Sequence, residues 1–187
     1  MQPLKKIVVI GPESTGKSTL CEDLARHYQT KWVPEFAREY LLTNGKEYTY
    51  NDLLTIAKGQ IASEEKISSQ FASPHSPFTI HHSPLLFIDT DLYVMKVWCE
   101  FVFGKCHQWI IDQIVERKYD LYLLCNTDLP WTKDELREYP DLETREKLFR
   151  IYKDIMINQN TPWIEIKGVQ ETRTQHAIEA INSFLLQ

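Results

Sequence analysis

Between residues 5 and 28 this chain carries the pattern that most restricts its fold. An apolar, β-branched run, Lys5–Ile10, is followed by Gly11-Pro12-Glu13-Ser14-Thr15-Gly16-Lys17-Ser18, and then by Leu20, Leu24 and Tyr28 at helical spacing. The octapeptide has the form G-x-x-x-x-G-K-[ST], and a strand before it with an amphipathic helix after it is the context the pattern requires. There, successive backbone N–H groups turn inward and the positive end of the helix adds to their field, so the loop cradles phosphate. Lys17 reaches the β and γ phosphates, and Ser18 holds Mg²⁺. Gly11, Glu13, Ser14, Thr15, Gly16 and Thr19 complete the nucleotide-binding set, with ATP and Mg²⁺ as the expected cofactors.

Strand signals recur at residues 32–33, 85–88, 121–125 and 163–166, with helical patterns between them. Strands alternating with helices predict a parallel sheet covered on both faces. The expected fold is α/β: a P-loop NTPase of three αβα layers around a five-stranded parallel sheet, with a small helical lid. Further helices are expected from Pro34 to Leu42, from an Asn51 or Asp52 cap towards Phe71, over residues 133–138, from Thr144, and at the C-terminal end. Residues 73–84, with three prolines beside serines and histidines, read as a surface loop. One domain spanning residues 1–187 is expected, with its lid at about 130–147.

The charge balance excludes one class of partner. A formal net charge of −5 is wrong for a nucleic-acid binder, whose affinity rests on clustered Lys and Arg. A local pocket of Lys17, Arg38, Arg137 and Arg145 still suffices for a small anion. Cys21, Cys99, Cys106 and Cys125 show no C-x-x-C pairing and read as reduced. With no leader pattern and no apolar run of membrane length, a cytoplasmic protein free of membrane is expected. Its partner is a small molecule, and a homo-oligomer stays open.

A carboxylate at the end of a neighbouring strand should complete the Mg²⁺ shell, and Asp89, closing residues 85–88, has that placement. Its other reading is a helix cap. Asp91 follows two residues later. Glu35 stands after the second short strand, on the rim where open α/β sheets bind ligands. It could take the proton of an attacking hydroxyl, or simply favour a helix N-terminus. Arg38 could orient sugar or phosphate. Arg137 and Arg145 read either as lid arginines that neutralise a moving phosphoryl group or as solvated surface charges.

Taken together, GPESTGKST, WVPEFAREYL, DLLTIAKGQ, LLFIDTDLYVMKVW and LYLLCNTDLPW with its later arginines resemble the ribosylnicotinamide kinase domain of the bacterial NadR-type proteins. The resemblance runs through nearly the whole chain. It implies a P-loop kinase that moves the γ-phosphate of ATP to the 5′-hydroxyl of nicotinamide riboside, giving nicotinamide mononucleotide. It also implies Lys17 and Ser18 at the phosphates and Mg²⁺, Asp89 in the metal shell, and Arg137 and Arg145 in the lid. Glu35, Asp91 and Trp98 would face the nucleoside, with Glu35 or Asp91 as the base. An aromatic face suits the positive pyridinium ring. On periodicity alone, Trp98 reads instead as a core residue of an apolar helix, and Tyr40 is a second stacking candidate. Full NadR-type proteins also carry an adenylyltransferase domain, expected here to reside in another chain.

Other readings are a different nucleoside or nucleotide kinase, or an ATPase that regulates a protein partner. A GTPase would need N-K-x-D, which Asn126-Thr127-Asp128 does not supply. Metal binding by His75, His81, His82, Cys99, Cys106 and His107 matches no zinc spacing.

Overall fold

Residues 3–71 and 84–185 are described by the structure, a computed structural model. Five strands form one sheet: β1 (Lys5–Ile10), β2 (Lys31–Val33), β3 (Leu85–Asp89), β4 (Leu121–Cys125) and β5 (Trp163–Ile166). Their order is β2-β3-β1-β4-β5, and every neighbouring pair is parallel. The connecting helices are α1 (Lys17–His27), α2 (Phe36–Asn44), α3 (Tyr50–Ser68), α4 (Leu92–Phe103), α5 (Gln108–Glu116), α6 (Leu142–Asn158) and α7 (Gln170–Leu185). This is the three-layer αβα fold expected of a P-loop protein.

Period-two alternation in the central strand sorts the core. Ile7 and Val9 face α1 and α7, where Leu20, Leu24, Ile178 and Ile181 close over them. Val8 and Ile10 face α4 and α6, against Val97, Leu148, Tyr152 and Met156. Because both faces are covered, β1, β3 and β4 read as continuous apolar runs. From β1 the chain crosses to the β2 edge, returns to β3, and then passes to β4 and β5 on the other side. The carboxyl ends of β1 and β3 thus flank the point where strand order reverses, the crevice in which open α/β sheets bind ligands.

The short helix expected over residues 133–138 is not present. That stretch has no regular secondary structure apart from a turn at residues 135–136, and α6 begins only at Leu142. The reason lies in where its backbone donors go. Thr132 N–H bonds Ser14 Oγ, Leu136 N–H bonds Asp134 Oδ1, and the N–H groups of Glu138 and Tyr139 bond the Glu13 carboxylate. Donors already committed elsewhere do not close helical rings. One cap also differs from expectation. Thr49, not Asn51 or Asp52, caps α3, with Asp52 returning the bond to the Thr49 N–H. Asp141 caps α6 through Thr144 N–H at 2.7 Å. The described residues include no helix long and apolar enough to cross a membrane. Of the loop read at residues 73–84, positions 73–83 lie outside the described residues, as do His75, His81 and His82.

Candidate functional site

The phosphate loop leaves β1 through Gly11, whose φ is 143° and whose added Cβ would lie 2.7 Å from the Cys125 carbonyl oxygen. Only glycine lets the chain turn there while passing so close to β4. Within the loop, Thr15 Oγ1 donates to Pro12 O at 2.8 Å, and Lys17 Nζ donates to the same carbonyl at 3.0 Å. Lys17 is thus folded back along the loop. Ser18 Oγ donates to Asp89 Oδ2 in a short contact.

Asp89 ends β3 and is fully buried. Its second oxygen, Oδ1, has no partner among the described residues. Burial first, and then repulsion from Glu35, hold this carboxyl above its ordinary range against the pull of Lys17 and the Ser18 bond. A buried carboxylate with one unfilled oxygen, a serine hydroxyl beside it and a second acid nearby is a donor set that fits a hard divalent cation such as Mg²⁺. The alternative reading of Asp89 as a helix cap fails, because Asp91 caps α4: its Oδ1 accepts Tyr93 N–H at 2.9 Å.

Asp91 is therefore a correction. Its Oδ2 accepts the Tyr122 hydroxyl at 2.7 Å, it is buried, and it does not line the cavity beside the phosphate loop. Burial pushes its carboxyl up to about 6, against the hydrogen bonds from Tyr122 and the α4 backbone. An acid spent on a cap and a tyrosine does not face a substrate.

That cavity has a volume of about 330 Å³. Residues 11–19 form one end, so all the loop positions read from the sequence are brought together there. The other end is a recess walled by Glu35, Arg38, Asp134, Arg137 and Glu138 and by the aromatic rings of Trp98, Phe101 and Tyr139. Glu35 immediately precedes α2. Its position depends on Gln60 of α3, whose Oε1 accepts Phe36 N–H at 2.7 Å and whose Nε2 donates to Asp89 O and Thr90 O at 3.3 and 3.2 Å. One buried amide thereby ties the start of α2 to the end of β3. Arg38 makes a two-pronged pair with Asp134 at 3.2 and 3.0 Å. Trp98 donates from its indole to Tyr48 OH at 2.8 Å, and Tyr48 donates to Glu138 at 3.0 Å.

Tyr40 and Arg145 do not reach this recess. The Tyr40 hydroxyl is held by Asp52 at 2.6 Å, outside the cavity wall. Arg145 is buried at 2% exposure behind the loop, and its Nη2 donates to Ser14 O and Leu129 O at 3.2 and 3.1 Å. That burial lowers its proton affinity, with Glu13 opposing. Arg137 does line the cavity, its Nη1 donating to Thr132 O. Arg173 escaped sequence reading altogether. Its guanidinium braces the loop from behind through Thr15 O at 3.0 Å, Asn126 O at 2.9 Å and Asp128 at 2.8 Å. Gln60 and Arg173 each left a trace, a polar residue set beside apolar helical positions: Gln60 between Ala57 and Ile61, and Arg173 four before Ala177.

A five-stranded parallel αβα sheet, with a phosphate loop at its switch point and an acid on the next strand, defines a P-loop nucleotide-binding protein. The AAA domain family model matches residues 6–173, and the chain belongs to that family. Among curated proteins it is similar to the trifunctional NAD biosynthesis/regulator protein NadR of Escherichia coli, 25% identical over 188 residues. The match takes in 97% of this chain and 43% of that protein, so the chain spans about two fifths of its relative's length. A solved NadR protein in complex with NR aligns with a TM-score of 0.70 at 23% identity, over 98% of this chain and 50% of that one. Thymidylate kinase from Ehrlichia chaffeensis aligns with a TM-score of 0.59 at 16% identity, over 96% and 99%. At these identities the structural likenesses establish the fold alone.

Proposed function

We propose that this protein is an ATP- and Mg²⁺-dependent kinase of residues 1–187, with residues 130–147 as its lid, that phosphorylates the 5′-hydroxyl of nicotinamide riboside. The observation that carries the reading is the continuity of one cavity, in which the phosphate loop opens into a recess whose first acid is Glu35. That recess sets the acids Glu35, Asp134 and Glu138 and the arginines Arg38 and Arg137 among aromatic rings. Its rings and its acids suit a ligand with a positive ring and several hydroxyls. The NadR relatives, one of them solved with NR, support the same acceptor. A cytoplasmic setting belongs to this reading.

In the reaction, the loop amides and Lys17 hold the β and γ phosphates, and Ser18 and Asp89 are the residues that would hold the metal. Bound Mg²⁺ supplies charge neutralisation at the phosphate oxygens. Glu35 takes the proton of the 5′-hydroxyl as that oxygen bonds to the γ-phosphorus. The bond from that phosphorus to its bridging oxygen breaks, and ADP leaves. Arg137 neutralises the oxygens in transit. Arg38, held by Asp134, orients the acceptor's sugar.

Incubating the purified protein with ATP, Mg²⁺ and a panel of nicotinamide riboside, thymidine and cytidine tests this directly by mass spectrometry. Nicotinamide mononucleotide and ADP are expected. Lys17→Ala should lose turnover by about a hundredfold or more while staying folded. ATP hydrolysis with every nucleoside left unphosphorylated would overturn the reading. The AAA description of the matching family keeps an ATPase acting on a protein partner as the second reading. Turnover stimulated only by such a partner would select it.

A further inference from the structure

A loop built to attract phosphate carries a carboxylate at its third position, Glu13. Left free, that charge would repel the nucleotide's own oxygens across a few ångströms of weakly screening surroundings. Instead, although Glu13 lines the cavity, its carboxylate is occupied. Glu13 Oε2 accepts Glu138 N–H at 3.0 Å, and Oε1 accepts Tyr139 N–H at 2.5 Å with the Trp131 indole N–H 3.5 Å away. The next residue repeats the link, since Ser14 Oγ accepts Thr132 N–H at 3.0 Å.

The far side of the same strap is held by α2 and the loop after it. Asp134 pairs with Arg38, Glu135 with Lys46 at 3.5 Å, and Glu138 accepts the Tyr48 hydroxyl. Residues 131–139, of which Asp134 and residues 136–139 line the cavity, are therefore fastened at the phosphate loop by backbone N–H groups and at α2 and the loop after it by side chains. Arg137 lies directly before the two amides that Glu13 holds.

We propose that Glu13 is a positioning residue that latches residues 131–139 onto the phosphate loop, setting Arg137 over the cavity and making nucleotide loading and strap closure reinforce each other. The proposal rests on the kinase reading above for what the closed state accomplishes. With the strap closed, two N–H groups neutralise the carboxylate. With the strap open, the carboxylate is free to face the inward amides and opposes the nucleotide. Closure and nucleotide binding then favour one another by the same factor.

Three measurements on the full chain test this: hydrogen exchange of residues 131–139 with and without Mg·AMP-PNP, calorimetric affinity for that analogue, and steady-state kinetics. They compare wild type with Glu13→Ala and with the isosteric Glu13→Gln. In the wild type, the analogue should slow exchange across the strap. Glu13→Ala should abolish that slowing, bind the analogue as tightly as wild type or tighter, and lose kcat by about tenfold or more, the worth of a charge-assisted hydrogen bond. Glu13→Gln keeps the shape and one acceptor oxygen, and should fall between. Wild-type kcat in Glu13→Ala, or strap slowing that persists in it, would overturn the proposal. So would loss of analogue affinity together with turnover, which would make Glu13 a nucleotide contact. A wild type whose strap slows with the analogue but which phosphorylates no nucleoside would defeat the kinase reading while leaving the latch intact.

Discussion

Two acids near the end of β3 and one before α2 show how little residue type says about role. Asp89, Asp91 and Glu35 are all carboxylates on the same rim, and their hydrogen bonds separate them. Asp89 keeps a buried oxygen unfilled, Asp91 has both oxygens taken, and Glu35 opens onto the cavity. Steady-state kinetics with the acceptor should follow that division. Glu35→Gln is expected to lower kcat by about a hundredfold or more, the usual worth of a positioned general base, with nucleotide affinity retained. Asp91→Asn should keep kcat near wild type, because asparagine caps helices as well as aspartate does and can still bond Tyr122. A large kcat loss in Asp91→Asn with intact stability would return Asp91 to the list of bases.

At the scale of elements, the packing of α2 on α3 decides where Glu35 stands. An added Cβ at Gly59 would lie 2.1 Å from the Phe36 ring, so the first turn of α2 is seated on the bare backbone of α3. Gly59→Ala gains helix propensity yet forces that ring and α2 outward. Urea unfolding should show a net loss of about 1–3 kcal/mol from overpacking, and kcat should fall with it because Glu35 moves with the helix. An alanine variant as stable and as active as wild type would mean that Phe36 repacks freely. The strap teaches the same lesson in reverse. Its residues 133–138, charged but for Leu136, read as a short helix, and the phosphate loop's side chains hold the backbone in an irregular crossing instead.

Across the whole molecule, the last strand, paired with β4 through its backbone, is tied further to α6 through one acid. Glu165 of β5 accepts from Lys153 of α6 at 2.9 Å, from Lys167 at 3.0 Å and from Asn126 at 2.7 Å. Burial alone would raise its carboxyl, but those bonds outweigh it and hold the group at about 2, against an ordinary 4.5. The folded state thus binds this proton more weakly than the unfolded chain does. The stabilisation is present above about pH 4.5 and is lost as pH falls towards 2. Thermal unfolding followed from pH 6 to pH 2.5 should decline less steeply in Glu165→Gln than in wild type, and parallel curves would remove Glu165 from the acid response. Nucleotide acts over the same scale. Saturation with Mg·ATP analogue at a hundred times Kd should add about 2.7 kcal/mol to unfolding, visible as a raised Tm that chelation of the metal reduces.

The order of strands, the helices between them apart from the one read at residues 133–138, the phosphate loop and the neighbouring acid were legible in the chain itself. Each rests on a local signal, whether β-branched runs, helical spacing, or a glycine pattern between them, and local signals survive without knowledge of the fold. Which of three acids stays free, that Arg145 lies behind the loop while Arg137 lines the cavity, and that Gln60, Arg173 and Glu13 brace the site were decided only by tertiary structure. Those outcomes depend on which donors meet which acceptors across tens of residues: Glu13 meets Tyr139, Gln60 meets Asp89, and Arg173 meets Thr15. A hydrogen bond between distant segments leaves no periodicity behind. It exists only once packing has brought the two groups within about 3 Å of each other.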